Sequence, residues 1–146
     1  MEISLYQTAE GNLVAAIIRL LEKIYASKKK CIFYSPIDER VKIVDKTLWT
    51  FSTNAFIPHG DRSLGFQKLQ PIYLTENIEN PNNASTLVLV DTLDYTAWGE
   101  DFEKIIFIFE DQVQTKAAEI LYEDLKKRQK NVNYWCQTPA GWQKTA

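Results

Sequence analysis

The stretch "ISLYQTAEGNLVAAIIRLLEKIYASKKKCIFY", residues 3–34, decides the fold. Two short apolar runs of strand type, "ISLYQ" and "CIFY", bracket a segment in which Leu13, Ile17, Leu20, Leu21 and Ile24 recur on one helical face. Asn12 is placed to cap this helix, and the lysine run of "SKKK" ends it. A strand, a helix and a second strand in that order predict parallel pairing, because a helical crossover is what returns the chain to the same edge of a sheet.

The pattern continues outward from there. Ser35-Pro36 introduces "IDERVKIVDKTLW", where Val41, Val44 and Leu48 repeat at helical spacing and Pro36 lies near the helix start. "QPIYLT" and "STLVLVD" read as short strands separated by the turn-rich "ENIENPNNA", and "KIIFIFE" at 104–110 is the near-continuous apolar run of a strand buried on both faces. All three belong inside the sheet. A third helix over "DQVQTKAAEILYEDLKKRQK" is expected to bury Val113, Ala117, Ile120, Leu121 and Leu125. "NVNYWCQ" then reads as the last strand, and "TPAGWQKTA" as a tail. The predicted architecture is α/β, a three-layer α/β/α sandwich with a mainly parallel sheet, in one domain over residues 1–146.

Composition excludes several functions. The formal net charge is −2, which provides no global basic field for phosphate backbones, so strong direct nucleic-acid binding is not expected. Trp98, Tyr134 and Trp135 are the aromatics that single-strand stacking would use. "SKKK" and "KKRQK" read as solvated helix ends completing a dipole. No run has the length of a bilayer span, and "MEISLYQTAEG" lacks a basic region leading into an apolar one, so the expected location is cytoplasmic, without a membrane partner. Cys31 and Cys136 are far apart and read as two buried free thiols.

Catalytic chemistry finds little support. No glycine-rich phosphate loop follows the first strand, and no G-x-S-x-G elbow occurs. His59 is the single histidine, so no cofactor or metal is expected; Asp38 and Asp45, two helical turns apart, read as solvated carboxylates. The enzyme alternative is a small α/β hydrolase or nucleotide-binding enzyme using His59 beside Ser52, Asp61 or a cysteine. The remaining signal is "LWTFSTNAFIPHG" at 48–60, which reads as a surface loop too rich in aromatics to stay uncovered, with Pro58 fixing a turn and Gly60 taking a positive φ.

"DKTLWTFSTNAFIPHG" at 45–60, "QPIYLT" soon after, the N-terminal "LYQT" and the "YW" at 134–135 near Trp142 together resemble the chi subunit of bacterial DNA polymerase III, the HolC family. The resemblance extends over the whole chain. It implies an α/β fold and a non-catalytic accessory subunit of the clamp-loader assembly. One surface would take the psi subunit through Trp49 and Phe56, flanked by Ile57 and Pro58. Where psi is absent, the same surface would meet another clamp-loader component or a helicase. A second surface, around the last long helix, would take the acidic, phenylalanine-ended tail of single-stranded DNA-binding protein, with Lys116, Tyr122 and Lys126 as its residues here. The family carries an Ala-Arg pair in this helix and an aromatic-lysine pair one turn later. This chain reads Ala118-Glu119 and Tyr122-Glu123, so two cations have become acids and the tail site is expected to be weakened or displaced.

Overall fold

The computed structural model describes residues 1–50, 59–60 and 70–145. Eight strands form one sheet in the order β3-β4-β2-β5-β6-β1-β7-β8. They are β1 (Glu2–Thr8), β2 (Cys31–Tyr34), β3 (His59–Gly60), β4 (Ile72–Thr75), β5 (Thr86–Leu89), β6 (Lys104–Glu110), β7 (Asn131–Thr138) and β8 (Gly141–Thr145). Every neighbouring pair is parallel except β7 and β8. Three helices, α1 (Leu13–Ala26), α2 (Asp38–Thr50) and α3 (Thr115–Lys127), cover the two faces.

Period-two alternation in the strands builds two cores. On one face Phe33, Leu74, Val88, Ile106 and Ile108 pack under α1 and α2 through Ile17, Leu21, Val44 and Leu48. On the other, Leu5, Ile32, Leu87, Ile105 and Phe107 pack with Ala118, Tyr122 and Leu125 of α3. β6 contributes to both cores, as its unbroken apolar run predicts. The C-terminal ends of β2 and β5 are tied by Asp91, which accepts from Ser35 Oγ at 2.8 Å and from Arg40 Nε at 3.0 Å.

Several expectations are corrected. Asn12 stands at the helix boundary but makes no side-chain cap; its amide donates to Gln137 Oε1 at 2.8 Å, which links α1 to β7 instead. The other boundary is as expected: α1 stops at Ala26 with Ser27 as its C-cap, where the "SKKK" run begins, and Lys28 takes a positive φ of 62° that ends the helix. In α3 the buried stripe is Ala118, Tyr122 and Leu125, with Leu121 packed against it. Val113 precedes the helix and is 70% exposed, and Ile120 is 64% exposed. Spacing places residues on a common face; the sheet selects Tyr122, whose ring meets Tyr134 edge-on at 5.6 Å.

The expected tail is a strand. Pro139 and Ala140 make a two-residue turn, Thr138 pairs with Gly141, and β8 returns antiparallel to β7. Gly141 has φ 116°, a conformation that a residue with a Cβ seldom adopts.

Cys31 is fully buried, whereas Cys136 is only half-buried, which corrects the reading of two buried thiols. Burial raises the Cys136 thiol above its ordinary range, and the carboxylates of Asp111 and Glu119 push it further in the same direction. A raised pKa leaves less thiolate at a given pH, so a disulfide reagent at pH 8 should titrate Cys136 slowly and Cys31 only after unfolding. The rate should climb with pH beyond the usual thiol range. Glu119→Gln should accelerate it, and rapid reaction of two thiols in the folded chain would contradict the arrangement.

Candidate functional site

The end of α2 carries the first candidate surface. Val41, Val44 and Leu48 bury one stripe of that helix, which turns Trp49 outward at its last turn, 50% exposed. The indole lies against the ring of His59, centroids 4.9 Å apart and planes tilted by 56°. His59 is held in β3, paired with Ile72 of β4, and its side chain is wholly buried. Its Nε2 is 3.1 Å from Asp45 Oδ1, one helical turn before Trp49. Asp45 thus stands beside a buried imidazole, and that imidazole packs against an indole that is half open to solvent.

This geometry changes two expectations. Asp38 is an exposed carboxylate paired with Lys42 at 2.8 Å, as a solvated position predicts, whereas Asp45 is only partly exposed and stands beside His59. Gly60 lies in β3 opposite Tyr73. Phe56, Ile57 and Pro58, like Ser52 and Asp61, lie outside the described residues. The proximity of Asp45 to His59 is a contact that spacing did not reveal. The two are fourteen residues apart, and only the pairing of β3 with β4 brings them together.

The second candidate surface lies on α3. Tyr122 is buried rather than presented, and Lys126 Nζ stands 5.4 Å from its ring centroid. Glu119 and Glu123 are exposed. Successive helical residues turn by about 100°, so Glu119, Glu123 and Lys126 follow one stripe while Lys116 points about 120° away from Tyr122. The structure thus joins Tyr122 to Lys126, leaves Lys116 far from that ring, and places Glu119 and Glu123 between the two lysines on the exposed side of the helix. Asp124 pairs with Arg128 at 3.2 Å, which occupies another nearby positive charge.

The aromatics considered for base stacking are mostly core. Trp98 packs edge-on to Tyr34 at 5.1 Å, and Tyr134 is buried with its hydroxyl donating to Gln7 Oε1 at 2.6 Å. Only Trp135 is partly open. No group of three or more potential metal ligands occurs among the described residues. No described helix is long and apolar enough to cross a membrane.

Comparison with known proteins identifies the family of the chain. A family model described as DNA polymerase III chi subunit, HolC, matches residues 1–133. The chain belongs to the DNA polymerase III chi family. It is similar to a probable DNA polymerase III subunit chi of Rickettsia prowazekii (strain Madrid E), with 32% identity over 152 residues that cover 99% of this chain and 92% of that protein. As a chi-family member, the chain is a replication accessory subunit. The family model takes in α1, α2, β6 and all of α3 and ends within β7, whereas the likeness to the Rickettsia protein continues into β8.

Proposed function

We propose that the chain is a non-catalytic adaptor of DNA replication, joining the clamp-loader complex to single-stranded DNA-binding protein through protein contacts alone. The observation that carries this reading is Trp49, a half-exposed indole lying against the buried His59 ring, with Asp45 beside it, in a chi-family chain. An aromatic anchor held in one orientation loses little conformational freedom when a partner covers it, which is the property of an interface hot spot. Phe56, Ile57 and Pro58 complete the anchor in this reading, with psi or an equivalent clamp-loader subunit as the partner and a helicase as the alternative. A hydrolase built on His59 is disfavoured by the same geometry, since a base with no exposed side-chain surface offers substrate no approach.

Affinity capture of clamp-loader subunits on the purified chain tests the proposal. Trp49→Ala combined with Phe56→Ala should reduce capture by at least tenfold while leaving the circular dichroism spectrum unchanged. Undiminished capture by a folded double variant would sink the assignment of this surface. Capture of a helicase instead would retain the surface and change the partner.

A further inference from the structure

α1 and α2 cover only part of their face of the sheet. Toward β1, β7 and β8 that face carries an aromatic shelf: the Tyr6 and Trp135 rings are nearly parallel, with centroids 6.3 Å apart, and Trp142 meets Tyr6 edge-on at 5.2 Å. Between this shelf and α1 runs an open cavity of about 550 Å³, floored by Tyr6, Ile106 and Ile108 and bounded by Leu20 on one side and Trp142, 38% exposed, on the other. It extends from the level of Glu2 to that of Gln137, one position past the Gln7–Cys136 pair. At about 3.3 Å per residue this is roughly 20 Å, the length of about six extended residues.

Charge in the groove is unevenly distributed. At the end nearest Glu2, Lys104 is neutralised by Glu2 at 3.6 Å and Lys29 by Glu103 at 3.3 Å. Along the α1 wall, Arg19 and Lys23 stand one turn apart, exposed, and neither is within ion-pair distance of a carboxylate among the described residues. An apolar floor flanked by two uncommitted cations is complementary to an extended chain with apolar side chains on one side and carboxylates on the other. A polynucleotide fits less well. It brings one phosphate per nucleotide and would have to pass Glu2 and Glu103 on a chain whose net charge is already −2.

We infer that this groove, on the sheet face opposite α3, binds an extended acidic peptide segment through Arg19 and Lys23, with its apolar side chains on Tyr6, Leu20 and Trp142. The site is separate from the Trp49 surface and takes in Trp142 of β8. Its mode is a groove reading alternate side chains of an extended strand.

A synthetic octapeptide of alternating Asp and Phe, amidated at its C-terminus to remove the free carboxylate, is the probe. Titration calorimetry at low salt should give saturable binding to the full chain. Arg19→Glu with Lys23→Glu, both at exposed positions, should weaken it at least tenfold, and Trp142→Ala should weaken it about fivefold. Lys116→Glu with Lys126→Glu on the opposite face should leave it unchanged. Replacing every Asp of the peptide by Lys should abolish it. The inference is overturned by no binding at about 1 mM peptide, by binding indifferent to the Arg19 and Lys23 reversal, or by an oligothymidylate that binds more tightly and is lost in that same variant.

Discussion

Phe107→Ala should lower the free energy of unfolding by about 3–5 kcal/mol, the range for truncating a large aromatic in a close-packed core. Phe107 is fully buried in the middle of β6, paired with Leu5 of β1 and Leu89 of β5, and the Tyr95 ring lies 6.1 Å from its own. Hydrogen-bonded strands on both sides prevent the backbone from collapsing into the space left by the ring, so the cavity term is added in full to the lost transfer energy. A domain of this size has about 5–15 kcal/mol in total, so the variant should be marginal. Ile120→Ala, on the solvent face of α3, should cost no more than about 0.5 kcal/mol. Urea unfolding of the two variants checks the contrast. A cost below about 1 kcal/mol for Phe107→Ala would mean that β6 is not the centre of the sheet.

The charge pattern of α3 gives the second large effect, under the proposed adaptor role. Glu119→Arg with Glu123→Lys should strengthen binding of an acidic peptide ending in phenylalanine by about thirtyfold at low salt. Reversing one charge about 8 Å from a ligand carboxylate in water changes the interaction by about 1 kcal/mol, and two sites give about 2 kcal/mol. Near physiological ionic strength, where the Debye length is about 8 Å, the gain should shrink to a few-fold. Both glutamates are exposed, so neither substitution disturbs the core. Calorimetry at the two salt concentrations distinguishes the cases: a salt-dependent gain identifies α3 as the tail surface, and unchanged affinity places the tail elsewhere or nowhere on this chain.

The two substitutions probe different levels of the same design. The core stripe of α3 holds Tyr122 against Tyr134 and so fixes which residues can face a partner, whereas the exposed stripe sets the sign of the partner that can approach. Lys126 lies between these roles, its charge over the Tyr122 ring and beside Glu123. At the end of α2, burial of Leu48 similarly fixes the helix and leaves Trp49 outward.

The sequence by itself determined the parallel α/β class, six of the eight strands, the three helices and the residues that carry the chi-family likeness, because each is written in local periodicity or in a short ordered motif. β6 was legible because apolar residues at consecutive positions can be satisfied only by two covered faces. The tertiary structure decided the order of strands, since alternation specifies a parallel crossover but not how many strands it passes: β1 and β2 lie three places apart with β5 and β6 between them. It also decided the face of α3, where helical spacing tolerates a shift of one residue and only the Tyr122–Tyr134 contact removes the ambiguity. Finally, it turned the C-terminal residues into β8, set Asp45 against His59, and opened the groove beside Trp142. The Asp45–His59 contact and the groove depend on residues brought together by the sheet, whereas β8 is a short hairpin whose alternation is too brief to distinguish it from a tail.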